Sequence, residues 1–297
     1  MTSSYIEENY DLLITEREPI RYFEHSKIKM IDGSLTAIKK DGTKEIIPAN
    51  STFLLFLGAG TSISQAAAIY CAKKNMYVAF ARGGCYVHSI WQGSHWQDPQ
   101  KIVLQCLRHN SEIERLRCAK KILELKFKNS LEDKTDIETI QNIENINKLL
   151  SHEAVVSKKT YNKLKLQYNL NSFVRDKEST EGVNGRLTLL NNALYTFCTA
   201  VIIAYGFHPS VGFIHGKTRR GGLSFDIADI FKYDLTLNPA FKDLNLTEKE
   251  LIMNFSSSLK RNNFRKIKEI LYVLKWINKE VSDVEVNNIL NENSCLR

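Results

Sequence analysis

The sequence predicts an α+β protein, with a small β-rich N-terminal domain that contains one helix, followed by a larger all-helical domain. Two observations predict this division. Short apolar or alternating segments separated by Asp-Gly turns fill roughly the first 95 residues, and apolar residues recur at helical spacing beyond them. We therefore place the domains at residues 1–95 and 96–297.

The β-rich region begins with a predicted meander. Segments 20–31, 34–40 and 43–47 suit short strands, and Asp-Gly pairs at 32–33 and 41–42 suit the turns between them. Residues 51–57 are a mainly apolar run, typical of a strand buried on both faces. A helix at 64–74 and strands at 76–81 and 85–90 complete the region.

The remainder of the chain predicts helices joined by polar segments. They cover residues 101–128, 135–168 with a break, 183–205, a stretch that begins at 226, and 247–280. The longest apolar run, residues 193–207, is too short to span a bilayer, so it predicts a buried helix.

The composition fits a folded protein with a basic surface. Hydrophobic residues make up 43% and charged residues 25%, which excludes wholesale disorder. A net charge of +8 favours nucleic acid or another polyanion as a partner without establishing it. The polar, acidic N-terminus does not suit a signal peptide, and the six Cys form no C-x-x-C pair. We expect a cytoplasmic protein with reduced, mostly buried thiols and no membrane association.

A glycine-rich segment at residues 58–64, Gly-Ala-Gly-Thr-Ser-Ile-Ser, joins the buried strand to the first helix. Exposed amides at a helix start can bind phosphate. However, the segment lacks the Lys of a P-loop and the third Gly of a dinucleotide fingerprint. The pattern favours a tight turn in which Gly supplies unusual dihedral angles and Ser or Thr caps the helix.

The segment from residue 206 to residue 229 is the strongest candidate for chemistry. His215 ends a short apolar run, and Asp226 and Asp229 follow three residues apart at a predicted helix start. Their carboxylates can share one helix face, and an imidazole with carboxylates suits Mg²⁺ or Mn²⁺. The spacing equally fits a helix-capping Asp226, an ion pair between Asp229 and Lys232, and an ordinary core histidine.

Several motifs together resemble one known family. The sequence GFHPSVGFIH followed by LSFDIADIFKYD is similar to the CRISPR adaptation integrases, the Cas-one endonuclease family. The segments LFLGAGTSISQAAAIYCAKKNMYVAF, GGCYVHSIW and ERLRCAKKILELKF resemble other family segments, in the family's order. The resemblance covers roughly residues 20–270 and looks closest to the versions that accompany Cascade-type (type I) systems.

The resemblance implies a set of catalytic and metal-binding residues. The family's Glu, His and Asp ligands correspond to Glu153, His215 and Asp229, with Asp226 in a supporting role. Glu144 stands in a similar context and remains an alternative for the first ligand. Position 154 is Ala where the family usually has Gly, and Phe225 stands where Tyr is common.

The resemblance also implies an architecture, a reaction and partners. It implies a β-sandwich-like N-terminal domain that dimerises and a helical catalytic domain that binds DNA. Two homodimers would flank a dimer of the small Cas-two protein. The complex would insert prespacer DNA into the leader-proximal CRISPR repeat, with Mg²⁺ or Mn²⁺ assisting attack of a 3′-hydroxyl on a phosphodiester. The same site would cut branched DNA.

Basic and aromatic residues supply candidates for DNA contacts. A surface charge is an ordinary alternative for each basic residue, and core packing is one for each aromatic residue. The basic candidates are Arg108, Arg115, Lys217, Arg219, Arg220, Lys260 and Arg261, with Lys101, Arg117, Lys120 and Lys121 as further members. The aromatic candidates for stacking on bases are Trp91, Trp96 and Tyr195.

Two other hypotheses remain at this stage. One is a catalytically inactive nucleic-acid-binding scaffold on the same fold. Its lack of activity would come from Ala154, or from a wrong assignment of Glu153 as a metal ligand. The other is an unrelated basic helical protein in which the motifs are coincidental. Loss of divalent-metal binding on Asp229→Ala would separate an enzyme from the scaffold.

Overall fold

The computed structural model describes residues 15–82, 86–91, 99–130, 134–170, 172–215, 220–242 and 244–291. Contacts divide the chain into two compact units, Met1–Gln97 with Thr247–Lys268, and Asp98–Leu246 with Glu269–Arg297. The first unit contains all of the described strands and the second is helical, so the predicted α+β class is confirmed. The sequence did not indicate that residues 247–268 belong with the N-terminal unit.

The N-terminal unit contains two four-stranded sheets. One has the strand order β1-β5-β7-β8, and the other has the order β4-β3-β2-β6. The strands are β1 Glu18–Phe23, β2 Lys27–Ile31, β3 Ser34–Ile38, β4 Lys44–Ile46, β5 Thr52–Leu57, β6 Ser62–Ile63, β7 Tyr77–Arg82 and β8 Tyr86–Trp91. Helix α1, Gln65–Lys73, connects β6 to β7. Strands β1, β5 and β7 are parallel, and β8 pairs antiparallel with β7.

Turn chemistry places the second sheet as the sequence predicted. Asp32 and Gly33 have φ of 48° and 75°, which is the positive-φ pair that a tight hairpin turn requires. Strands β2, β3 and β4 then pair antiparallel in succession. All six residues of β5 are buried, as the continuous apolar run indicated. Residues from both sheets and from α1 share one hydrophobic core, which fits a sandwich-like arrangement.

The glycine-rich segment is a structural turn. Gly60 has a φ of 67°, a conformation that L side chains rarely adopt. The short strand β6 follows it, and the Ser64 side chain then accepts a hydrogen bond from the Ala67 amide at the start of α1. The capping interpretation is therefore confirmed.

Nine helices are described beyond residue 98. They are α2 Pro99–Asn110, α3 Glu112–Ser130, α4 Lys134–Asn142, α5 Ile146–Gln167, α6 Gly182–Tyr205, α7 Gly222–Lys232, α8 Asn238–Lys242, α9 Glu248–Ile277 and α10 Asp283–Asn291. A π-helical turn, Tyr233–Leu237, joins α7 to α8. The sequence predicted one helix at 101–128, whereas the structure breaks it at Ser111, and the break expected within 135–168 lies between α4 and α5.

Helix α6 is the core of the helical unit. It is the one described helix whose length and composition would allow it to cross a membrane, and 72% of its most apolar stretch is buried inside the protein. Cys118 and Cys198 are free thiols buried in this unit, and Cys71 is a free buried thiol in the first. Burial raises the pKa of the Cys71 thiol to about 11 and that of Cys118 to about 12. Cys106 is partly exposed, so three of the four free thiols that the structure describes are buried, in line with the expectation of mostly buried thiols.

Candidate active site

The loop that carries His215 is fixed by side chains from the preceding helices. It runs from the end of α6 to His215. The fully buried Gln105 donates from Nε2 to the carbonyls of His208 and Val211, at 2.9 and 2.8 Å. Arg115 Nε donates to the Phe213 carbonyl at 3.0 Å. Because these contacts come from the helices α2 and α3, the loop is held as part of the helical unit.

The buried carboxylate of Asp226 binds the loop from the other side. Its side chain is completely buried, in the second turn of α7. Oδ2 accepts from the amides of Phe213 and Ile214 at 2.6 and 3.0 Å, and Oδ1 accepts from the His215 amide at 3.2 Å. Oδ1 also lies 2.8 Å from His215 Nδ1. Asp226 therefore orders the loop and orients the imidazole, rather than capping its own helix.

Gly212 allows the loop to lie directly against α7. A Cβ atom at this position would lie 2.4 Å from the carbonyl carbon of Gly222 and 2.6 Å from the Leu223 nitrogen. Both are backbone atoms, so they cannot move aside as a flexible side chain could. The close approach lets the Pro209 carbonyl accept a hydrogen bond from the Leu223 amide at 2.9 Å, which satisfies a donor at the start of α7.

Two carboxylates from different helices share one ammonium group. Glu153 on α5 and Asp229 on α7 both form ion pairs with Lys126 of α3, and the Lys126 Nζ–Asp229 Oδ2 distance is 3.3 Å. The three side chains are 18%, 7% and 13% exposed in that order. Ser157 also donates to Glu153 Oε1 at 2.8 Å. Side chains 27 and 103 positions from Lys126 therefore meet at one point.

A second ammonium group, that of Lys232, also faces Asp229. Lys232 pairs with Asp229 Oδ1, on the opposite carboxylate oxygen from Lys126. Its Nζ lies 4.9 Å from the centre of the Tyr195 ring. The ion pair between Asp229 and Lys232, which the sequence offered as an alternative to a metal site, is therefore present. It coexists with the Lys126 contact instead of replacing it.

The cations set the protonation state of the acidic groups. Burial alone would raise the pKa of Asp229, but Lys126 and Lys232 outweigh it and hold that pKa well below its usual range. Burial alone would also raise the pKa of Glu153, but the positive charge of Lys126 outweighs burial and lowers that pKa. A positive charge on His215 would lower the pKa of Asp229 further. Both carboxylates are therefore ionised at neutral pH.

The structure places the predicted site residues in two contacting pairs and leaves Glu144 apart. Glu153 and Asp229 meet at Lys126, and Asp226, on the same helix as Asp229, binds His215. Glu144 is exposed just before α5. Among the described residues, no three His, Cys, Asp or Glu side chains are grouped closely enough to enclose a metal ion. Sequence reasoning missed Lys126, which has no local signal because its partners are distant in sequence.

The predicted DNA contacts have varied surroundings. Arg108 is 3% exposed, and its guanidinium binds the carbonyls of Trp276 and Ile277 and the Glu114 carboxylate. Arg108 therefore caps the C-terminal end of α9, and its buried guanidinium is not available to bind a DNA phosphate. Lys260 pairs with Glu18, and Arg220 is exposed. Lys217, Arg219, Trp96 and the side chain of Arg261 lie outside the described part of the protein.

Comparisons with known proteins identify the family and agree with the fold. A family model described as CRISPR associated protein Cas1 matches residues 22–134 and 132–252. The chain belongs to the Cas1 family. The motifs singled out in the sequence, including Glu153, His215 and Asp229, lie within the matched range.

Curated relatives carry the same family name. The CRISPR-associated endonuclease Cas1 of Clostridium sp. strain SY8519 is 30% identical over 237 residues, 77% of this chain and 74% of the relative. That of Escherichia coli K12 is 29% identical over 239 residues, 77% and 73% of the two chains. A Methanospirillum hungatei Cas1 is 27% identical over 242 residues, 80% and 78% of the two chains. The predicted membership of a CRISPR-associated endonuclease family is confirmed.

Solved structures confirm the Cas1 fold. A Cas1 protein from Thermotoga maritima aligns with a TM-score of 0.72 and 16% identity, over 89% of this chain and 98% of the other. A Cas1 protein in complex with DNA aligns with a TM-score of 0.70 and 21% identity, over 86% and 91%. A casposase bound to an integration product has a TM-score of 0.75 and 11% identity, over 89% and 92%.

Proposed function

We propose that this Cas1 protein is a divalent-metal-dependent DNA endonuclease and integrase that inserts prespacer DNA into the CRISPR array. The observation that carries the proposal is the meeting of Glu153 and Asp229 around one cation, beside a histidine that Asp226 orients. The relatives named as CRISPR-associated endonucleases and the casposase bound to an integration product support the reaction class.

The donor set suits Mg²⁺ or Mn²⁺. Carboxylate oxygens with one imidazole nitrogen are ligands that these ions accept. If His215 Nδ1 donates to Asp226, its Nε2 keeps a lone pair available as a ligand, which is the usual arrangement around a metal-binding histidine. Glu153, His215 and Asp229 would hold the ion, and Asp226 would position the histidine. When bound, the metal polarises the phosphate and stabilises charge on the attacking or leaving oxygen.

The chain's own residues then have separate tasks in the proposed reaction. The oxygen of a prespacer 3′-hydroxyl loses its proton and forms the new phosphorus–oxygen bond. The 3′-oxygen of the cut repeat strand leaves and takes up a proton, so no Ser, Tyr or Cys nucleophile is needed. The carboxyl groups of Glu153 and Asp229 have lowered pKa values, so both are ionised at neutral pH and supply negative charge. Lys232 holds the second oxygen of Asp229 and so fixes the carboxylate plane.

The proposed partners are DNA and proteins. We propose that the protein acts as a homodimer through the N-terminal unit and that two dimers assemble with Cas-two. A solved relative in complex with DNA supports a DNA substrate. Exposed Arg220 precedes α7, the helix that carries Asp226 and Asp229.

Strand transfer on branched DNA tests the proposal. We expect product with Mn²⁺ or Mg²⁺ in the wild type, and a loss of at least about a hundredfold in Glu153→Ala, His215→Ala and Asp229→Ala, because each removes a metal ligand. Exposed acidic residues of the same unit provide matched controls, Glu138→Ala and Asp176→Ala.

Each variant is checked for folding by circular dichroism. Both controls should keep wild-type activity. If folded wild type shows no metal-dependent product even with Cas-two present, the enzyme proposal is wrong, and the nucleic-acid-binding scaffold becomes the better description.

A further inference from the structure

Lys126 occupies an unusual position for a lysine. Its ammonium lies between two carboxylates of the proposed metal site, and its side chain is 13% exposed. Burial alone would lower the pKa of Lys126, but the charges of Asp229 and Glu153 raise it. The group is therefore a charged cation at the point where the two carboxylates converge.

The charges around this point are already balanced. Lys126 and Lys232 provide two positive charges against the two negative charges of Glu153 and Asp229. A divalent cation added to this set would leave excess positive charge in a largely buried site, which is costly. This excess of charge favours displacement of one ammonium group when the metal enters.

Geometry selects Lys126 as the group that moves. It contacts Asp229 Oδ2 and also Glu153, so it fills the space between the two proposed ligands. Lys232 contacts only Asp229 of this pair, on the other oxygen, and its Nζ also lies over the Tyr195 ring. Lys126 has a flexible four-carbon stem on which the ammonium can swing.

We propose that Lys126 is a displaceable stand-in for the metal: it holds Glu153 and Asp229 together before a divalent cation binds, and it gives up its place when the cation arrives. The inference rests on the proposed metal site. It makes Lys126 a positioning residue in the metal-free protein and a competitor of the metal, and it predicts that removing the ammonium tightens metal binding.

Mn²⁺ binding to the full chain tests the proposal without any catalytic assay. Free Mn²⁺ is followed by electron paramagnetic resonance during titration of the wild type, Lys126→Met and Lys128→Met. Met keeps the apolar stem but carries no charge. We expect the Kd for Mn²⁺ to be at least about tenfold lower in Lys126→Met, because no buried ion pair must be broken first.

Lys128→Met is the matched control. Lys128 lies on the same helix, two residues away, and pairs with Glu124 at 2.5 Å, outside the proposed site. Its Kd should equal that of the wild type. Melting temperatures supply a second measurement, since a bound ligand stabilises the folded state. Metal-free Lys126→Met should melt below the wild type, and Mn²⁺ should raise its melting temperature by more than it raises that of the wild type.

The outcomes separate this inference from the proposed function. If the wild type binds Mn²⁺, Asp229→Ala does not, and Lys126→Met binds no more tightly than the wild type, then Lys126 is not a competitor and the inference fails alone. If neither the wild type nor Lys126→Met binds Mn²⁺ more tightly than Asp229→Ala, the metal site itself fails and takes the inference with it.

A measurement on the unmodified protein covers the case in which Lys126→Met does not fold. Reductive methylation labels lysine amines in proportion to their accessibility, and mass spectrometry reports each site. Saturating Mn²⁺ should increase labelling of Lys126 relative to Lys128 by at least about threefold, because a displaced ammonium leaves its two partners. Unchanged labelling of Lys126 with bound Mn²⁺ would contradict displacement.

Discussion

At the scale of single residues, Asp226 organises the segment that carries His215. One buried carboxylate lies within hydrogen-bonding distance of three backbone amides and one imidazole nitrogen, and all four groups belong to the segment 213–215. Hydrogen bonds to a charged group stabilise a protein by about 1.5–3 kcal/mol each, and a buried donor left without an acceptor costs a similar amount. Asp226 therefore connects the stability of the unit directly to the orientation of His215.

Asp226→Asn should be destabilising although it changes only one atom. In one orientation of the amide, its NH₂ group faces the amides of Phe213 and Ile214. In the other, it faces the amide and Nδ1 of His215, so donors meet a donor where a carboxylate oxygen now accepts. We expect a loss of about 2 kcal/mol or more in the free energy of unfolding, measured by urea denaturation. Strand transfer should fall as well, because the imidazole loses its fixed tautomer.

The matched control is Asp41→Asn. Asp41 is exposed and accepts one hydrogen bond from the Thr43 amide in a hairpin turn. Asn suits such turns, so the change should stay within about 0.5 kcal/mol. An equal, small effect at both positions would show that Asp226 does not organise the loop.

The contrast between Asp229 and Lys126 shows what the sequence could reveal at this scale. Asp229 stands in a recognisable motif, so neighbouring residues were enough to predict a role for it. Lys126 acquires its role through Glu153 and Asp229, which lie 27 and 103 positions away. No periodicity or spacing links residues so distant, and only the packing of α3 against α5 and α7 brings them together.

At the scale of helices and strands, local chemistry predicted most elements and missed some boundaries, among them the start of α7, which lies at Gly222 and not at residue 226. The Asp-Gly turns and the buried run of β5 were readable because the signals lie within a few residues. The break between α2 and α3 also had a local signal. Ser111 accepts a hydrogen bond from the Glu114 amide at 3.4 Å, and Ser-x-x-Glu is the pattern of a helix start.

The same pattern begins two later helices. Thr247 and Glu250 exchange backbone and side-chain hydrogen bonds at the start of α9, and Ser282 and Glu285 do so at the start of α10. Hydrogen bonds from Thr247 lower the pKa of Glu250, and those from Ser282 lower the pKa of Glu285. Attention to this pattern alone would have corrected the predicted single helix at 101–128.

Ala154 is the departure from the family pattern at the scale of a helix, and its exposed position predicts little effect. It is exposed on α5, next to Glu153. Ala154→Gly should lower the free energy of unfolding by about 1 kcal/mol, because Gly is the poorer residue inside a helix. It should not raise strand-transfer activity. Urea denaturation and the branched-DNA assay measure the two effects.

Ala119→Gly, at a buried position of α3, provides the comparison for a helical Ala whose methyl group is packed. It should be more destabilising than Ala154→Gly, since it also loses buried contacts. A several-fold gain of activity in Ala154→Gly would mean that Ala154 impairs this protein, contrary to its exposed position.

At the scale of the whole molecule, two features dominate: the division of the chain into two units and its positive net charge. The chain returns to its first unit at residues 247–268, after the complete candidate site has been formed within residues 98–246. Such a return depends on contacts between segments that are distant in sequence. A single boundary drawn from composition at residue 95 therefore could not assign residues 247–268 to the first unit. The net charge of +8, in contrast, is fixed by composition alone.

That charge predicts salt-dependent binding of duplex DNA. The logarithm of the association constant should fall linearly with the logarithm of NaCl concentration, by about 0.9 for each phosphate contact. Arg220→Ala should reduce the slope by about one, as measured by fluorescence anisotropy.

Lys29→Ala is the control for Arg220→Ala, because Lys29 is exposed on β2 in the N-terminal unit. It should leave the slope unchanged. Binding that does not respond to salt would contradict phosphate recognition by this basic protein.

The placement of Asp226 also constrains how the protein folds. A helix α7 formed without the segment 213–215 would bury a carboxylate with none of its four partners, and a segment closed without α7 would leave its amides unsatisfied. The two parts must therefore open and close as one cooperative unit. In native-state hydrogen exchange, the amides of Phe213 and Ile214 should exchange with the same opening free energy as the interior amides of α7.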